Sequence, residues 1–246
     1  MKEGTNMSNY TVDFNVAESI VCPSMESYGA MSDLICSSQY TFHSGKIYGI
    51  VGECGSGGWG ISYILCGRGW PKECKIKING KEVNQGELEK VGWYVGEGVR
   101  RRNHFFQEKS VKKQIEGGIR KSKVSSVEDV IRKFHLTPER LSVRLSVLSW
   151  ERWRASAAIG YAYNCKIFCF PWLNTCYLNN MITNSRLDIF SDILKQEGNI
   201  IIIPTEKQGT IEMIADEIIE INNPRFGISS LAKEVIESYR KDGIPK

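Results

Sequence analysis

Residues 47–66, IYGIVGECGSGGWGISYILC, constrain the chain more than any other stretch. An apolar run of strand length breaks into a glycine-dense turn and resumes as an apolar segment of helix length. Gly52, four residues and then Gly57 outline a phosphate-cradling loop between a buried strand and a helix. Glycines suit such a loop because they let backbone N–H groups close on an anion at a helix N-terminus. A working loop continues with Lys and then Ser or Thr. Here Gly58 and Trp59 hold those places. The turn is kept, and the side chains that would hold phosphate and metal are gone.

A length of 246 residues suits one large α/β domain or a domain with a subdomain. Hydrophobic residues at 41% and charged residues at 24% are ordinary for a soluble globular chain. The net charge of +4 is too small to argue for a nucleic-acid partner. No apolar run approaches the roughly 20 residues that span a bilayer, and the opening MKEGTNMSNYTVDFN is polar rather than signal-like. The eight cysteines include no CxxC pair and no nearby His at ligand spacing. Cys66, Cys165 and Cys169 lie in apolar surroundings, so buried reduced thiols are expected, with no metal site. His43, His104 and His135 are isolated and read as structural or exposed.

Residues 11–45 read as short strands and turns, and 47–51 as a buried strand followed by a helix over 58–66. KIKINGKEV (75–83) alternates around Asn79-Gly80, a hairpin signal, and VGWYV (91–95) reads as another strand. Residues 98–125 are basic and polar, with Arg100-Arg101-Arg102 and Lys112-Lys113 read as solvated surface in preference to a lipid or acidic-partner contact. A capped helix is expected over 126–140, closed by Pro138. Further helices are expected at 150–163, 186–196, 210–216 and 228–241, with strands at 166–170, 199–205 and 217–221. Strands alternating with helices imply a mostly parallel sheet.

Several collinear segments resemble the nucleotide-binding subunit of an ABC transporter over roughly residues 11–225. Tyr28-Gly29 stands where that family places its adenine-stacking aromatic, and GKIYGIVGECGSG matches the Walker A strand and loop. IKINGKEV matches the following hairpin, and VGWYVGE the strand into the Q-loop. LSVLSWERWRASAAIGYAYNCKIFCFPWLN matches the signature helix and Walker B strand, and GNIIIIPTE the strand that carries the switch histidine. The resemblance implies a P-loop (RecA-like) α/β core with a mostly parallel sheet, an N-terminal antiparallel β subdomain and an inserted helical subdomain. It also implies a single cassette over 1–246, with the helical subdomain near 100–155 and a C-terminal helix and tail over 228–246.

The departures fall on the residues that carry the family's chemistry. Lys and hydroxyl are Gly58 and Trp59; the Walker B Asp and Glu are Pro171 and Trp172. The Q-loop Gln is Glu97, the D-loop Asp falls near Leu178, and the switch His is Glu206. A signature glycine is Trp150, beside Ser149 and Glu151. Removing one preorganised stabiliser costs on the order of 10²–10³ in rate, and phosphoryl transfer depends on several at once. No residue is therefore given a catalytic or metal-binding role. Gly52, Gly55, Ser56, Gly57 and Gly58, with Tyr28, remain as candidates for ATP binding without hydrolysis; the other reading keeps the glycines for the turn alone. Trp59 and Trp172 are expected to fill vacated nucleotide space, and Trp150 and Trp153 to meet a partner.

The resemblance implies a catalytically degenerate subunit on the cytoplasmic face of a membrane. It would dock on a separate permease and pair with a second, active cassette, with no nucleic acid involved. A divergent active ATPase and a soluble regulator reusing the fold are the alternatives.

Overall fold

The computed structural model describes residues 10–25, 29–100, 108–123 and 126–223. Tyr28, Arg101, Arg102, His104 and the helix expected over 228–241 lie outside them.

In chain order the strands of the first part are β1 (Thr11–Val16), β2 (Ser19–Val21), β3 (Ser24–Met25), β4 (Gly29–Ala30), β5 (Asp33–Ile35), β6 (Ser38–His43) and β7 (Lys46–Val51). Helix α1 (Gly58–Leu65), β8 (Cys74–Ile78), β9 (Lys81–Val83), α2 (Gln85–Val91) and β10 (Gly92–Tyr94) follow. Next are α3 (Val111–Ser122), α4 (Val127–Lys133), α5 (Glu151–Ala162), β11 (Ile167–Cys169), α6 (Thr175–Ser185) and α7 (Leu187–Gln196). Strand β12 (Ile200–Thr205), α8 (Gln208–Ile211) and β13 (Glu217–Glu220) complete the order.

A four-stranded antiparallel sheet, β6-β1-β8-β9, is built from alternating sequence. In β1 the period of two puts Val12, Phe14 and Val16 into the core. The β8–β9 hairpin turns through Asn79 and Gly80, both at positive φ, as the Asn-Gly dipeptide predicts.

A second sheet, β10-β11-β12-β7-β13, is parallel throughout. Its middle strand β12 is buried at every position, which is why IIIIPT reads as a continuous apolar run instead of alternating. Helix α1 packs against β11 and β12, and α7 against β12 and β7. Helices α3, α4 and α5, with two short 3-10 turns, form the helical portion between β10 and β11. The fold is therefore α/β, with a parallel core, antiparallel N-terminal strands and an inserted helical part.

The structure adds three helices to the elements expected and shortens two. The stretch 85–91 carries α2, set by a capping box: the Asn84 side chain accepts from Glu87 N while Glu87 accepts from Asn84 N. The basic segment carries α3, whose Val111, Gln114, Ile115 and Gly118 face inward at helical spacing, with Lys112 and Lys113 exposed. The polar segment after β11 carries α6, which buries Leu178, Met181 and Ser185. The helix expected over 126–140 ends at Lys133, because His135 takes φ +49° and Pro138 opens a separate 3-10 turn. Helix α8 is likewise shorter than the 210–216 expected.

Candidate functional site

The glycine loop forms at the C-terminal end of β7, as its spacing predicts. Gly52 N donates to Thr205 O at 2.9 Å, tying the loop's first residue to the end of β12. Gly55 takes φ +94°, and Gly57, the N-cap of α1, takes φ +114°; both conformations favour glycine. Ser56 is buried, and its hydroxyl donates to Glu53 O at 2.6 Å, within the loop itself. Gly58 opens α1 against an apolar wall, where an added Cβ would lie 3.4 Å from Pro204 Cβ and 3.5 Å from Ile50 Cγ2. Gly52, Gly55, Ser56, Gly57 and Gly58 thus come together as one turn.

The N–H groups at the start of α1 already hold an anion of the chain's own. Asp33, fully buried on β5, receives Gly57 N on Oδ1 at 2.9 Å and Gly60 N on Oδ2, and Trp59 N also bonds this carboxylate. Burial pushes its carboxyl above the usual carboxylate range, and the three N–H groups oppose that rise. Strand β5 lies against the loop: Leu34 N donates to Gly55 O at 3.0 Å, and Asn223 Nδ2 donates to Leu34 O at 2.9 Å. Neither Asp33 nor Asn223 was found from sequence, because no motif or period links them to the glycines.

Two tryptophans stand at the loop. Trp172 Nε1 donates to Gly52 O at 2.9 Å, so the residue after Pro171 lies on the first glycine of the loop. Trp59 is buried, and its Nε1 donates to the Tyr94 hydroxyl at the end of β10. Burial pushes the Tyr94 phenol well above its ordinary value, with the Trp59 bond opposing. The Arg68 guanidinium lies 4.6 Å from the Tyr94 ring centroid and pairs with Glu97. Glu97, where the resemblance expects the Q-loop glutamine, is therefore engaged by an arginine from the segment after α1.

The other positions also have partners within the chain. Glu206 accepts from the Thr175 hydroxyl at 3.0 Å and from Thr175 N at 3.3 Å, and these bonds hold its carboxyl below the usual range. Leu178 is a fully buried core residue of α6. Trp150, half-buried, packs its ring 5.1 Å from that of Tyr177, beside exposed Ser149. Glu151 is buried, accepts Thr137 N at 2.7 Å and pairs with Arg140 at 3.0 Å. Trp153 does not offer the partner contact expected of it: it is 1% exposed, wedged beside Gly96 and Tyr177.

Among the described residues no three His, Cys, Asp or Glu side chains cluster as a metal-binding set. All eight cysteines are free thiols, of which Cys66, Cys74, Cys165 and Cys169 are buried. No helix among the described residues is long and apolar enough to cross a membrane.

Comparison with known proteins agrees with this architecture. The sequence pattern of the family described as ABC transporter matches residues 37–168. A solved ATP-binding subunit of an ABC transporter superposes with a TM-score of 0.60 at 15% identity, over 92% of this chain and 98% of that one. CbiO1 from Clostridium perfringens, part of the ABC transporter complex CbiONQ, gives 0.60 at 14% identity over 96% of both chains. The ATP-binding cassette MJ0796, solved as a dimer with ADP and Pi, gives 0.60 at 14% identity over 86% of this chain and 94% of its own. No curated protein matches the sequence significantly. At these identities the superpositions speak for the fold, and the matched sequence pattern, which covers more than half of the chain, speaks for the family: this protein belongs to the ABC transporter ATP-binding cassettes.

Proposed function

We propose that this cassette does not hydrolyse ATP and serves an ABC transporter as a structural or regulatory subunit. In this reading it docks on a separately encoded transmembrane permease at the cytoplasmic face. It pairs there with a second cassette that supplies the ATP chemistry. The whole of 1–246 acts as one cassette, with the helical part near 100–155.

The observation that carries the proposal is the Trp172 indole bound to Gly52 O at 2.9 Å. The resemblance places at Trp172 the carboxylate that polarises the attacking water. An indole offers one N–H donor and no acceptor, so it cannot take a proton from water. Its neighbours support the same conclusion. A magnesium ion wants oxygen ligands near 2.1 Å, and Gly58, Trp59, Pro171 and Trp172 offer no side-chain oxygen to it. These residues do not fit Mg-ATP. Glu206 is an acid, but Thr175 already holds it against the start of α6. The membership of CbiO1 in a complex named CbiONQ supports the expectation of further subunits.

Phosphate release from Mg-ATP by the purified chain tests the reading. The expected result is no release above a buffer blank. Hydrolysis that Glu206→Gln abolishes would establish the divergent active ATPase instead. Gentle detergent extraction tests the partners: a membrane subunit and a second cassette are expected to co-purify, and their absence would leave a regulator that reuses the fold.

A further inference from the structure

We propose that Asp33 is a built-in phosphate surrogate, a carboxylate that fills the anion-binding end of α1 and keeps the loop in its wound shape with no nucleotide. This rests on the reading of the cassette as non-hydrolysing and assigns the content of the same loop.

The geometry is that of a ligand more than of a helix cap. A capping side chain ordinarily comes from the N-cap residue itself. Here the N-cap is Gly57, which has no side chain, and the acceptor arrives from β5. The two oxygens divide between two donors three residues apart, Gly57 N and Gly60 N, and Trp59 N joins them. Converging backbone donors at a helix start are what a phosphate group takes in loops of this outline.

The fit extends to the surroundings. Gly57 and Gly60 leave the room that Asp33 and its strand occupy. A Cβ at Gly60 would stand 2.8 Å from Ile35 Cδ1 and 3.2 Å from Asp33 Oδ2; one at Gly57 would stand 3.0 Å from Leu34 O. Strand β5 is stitched to the loop by Leu34 N on Gly55 O, and Asn223 Nδ2 reaches both Leu34 O and, at 3.4 Å, Ser56 O. A nucleotide phosphate seeking these donors must therefore displace backbone as well as one side chain. At the far end the Trp172 indole holds Gly52 O.

Charge explains why a carboxylate serves where a triphosphate does not. The start of a helix carries roughly half a positive charge, which suits one carboxylate. A triphosphate brings several negative charges and relies on lysine and magnesium to offset them. Position 58 is glycine, and position 53, in the loop, is Glu53.

The test compares wild type with Asp33→Ser and Asp33→Asn, using inorganic pyrophosphate, acetate and Mg-ATP as probes. Wild type is expected to show no change in Tm with any of them at millimolar concentration. Asp33→Ser is expected to melt lower and to regain about 5 °C on adding acetate, with a smaller gain from pyrophosphate. Asp33→Asn keeps one acceptor and should lie between. Amide hydrogen exchange on wild type alone keeps the proposal testable if the serine variant does not fold. Gly57 and Gly60 amides should exchange at least about a hundredfold more slowly than an unprotected amide, with no further slowing by Mg-ATP. Wild type stabilised by Mg-ATP or pyrophosphate, freely exchanging Gly57 and Gly60 amides, or a folded serine variant that neither anion rescues would each overturn it. Phosphate release from the same samples reports separately on the non-hydrolysing reading, which survives if wild type binds ATP without cleaving it.

Discussion

Close approach of backbones governs several single positions. A Cβ at Gly92 would lie 2.6 Å from Cys66 Cα and 2.9 Å from Cys66 C, atoms that cannot swing aside. Gly92→Ala is therefore expected to destabilise the protein by about 1–3 kcal/mol in urea unfolding. Gly209, in α8, meets nothing within 4 Å, and Gly209→Ala should be neutral or stabilise by about 0.5–1 kcal/mol in the same assay. Trp172 makes its bond to the loop through one N–H. Trp172→Phe keeps most of the ring packing and deletes that donor, and a loss of about 0.5–1.5 kcal/mol is expected by thermal or urea unfolding. A loss outside that range would mean that the indole holds the loop in some other way.

At the scale of elements, local sequence patterns decided which segments were legible. The alternation of β1, the Asn79-Gly80 turn and the apolar run of β12 each lie within a few consecutive residues. Helix α6 was hidden because Asn179, Asn180, Thr183 and Asn184 surround its three buried positions and have modest helix propensity. Its start is nevertheless fixed by Asn174, which accepts from Tyr177 N at 2.7 Å. Helix α2 is seven residues long and buries only Leu88, so its cap carries an unusual share of its stability. Asn84→Ala is expected to cost about 1 kcal/mol in urea unfolding and to raise amide exchange across 85–91 before global unfolding.

For the molecule as a whole, the enclosure of the thiols offers a global readout. Burial pushes the thiols of Cys54 and Cys74 up to about 11 and that of Cys165 to about 12. A raised thiol value favours the neutral form, so the reactive thiolate is scarce until pH approaches that value. At pH 8 a thiol titrating near 11 is only about 10⁻³ thiolate. Iodoacetamide at pH 8 should therefore modify exposed Cys22 and Cys176 first. Peptide mass spectrometry should find Cys54 and Cys74 modified later and Cys165 and fully buried Cys169 last, with faster labelling of Cys54 as pH rises towards 10. Early labelling of Cys165 would mean that the sheet opens far more readily than its packing implies.

The sequence by itself determined the parallel α/β core, the strand–loop–helix turn at Gly52 to Gly58 and the family, because each rests on short-range spacing or on the collinear order of segments. It also singled out positions 58, 59, 171, 172 and 206, where the resemblance implies other residue types. Only the tertiary structure decided what those residues touch. Asp33 precedes Gly57 by 24 residues and Gly60 by 27, and Trp172 follows Gly52 by 120. No local period connects them; they meet because β7 and β11 flank β12 in one parallel sheet and β5 lies against the loop. The loop's shape is thus a local property of its glycines, whereas its occupancy by a carboxylate follows from how strands far apart in sequence pack together.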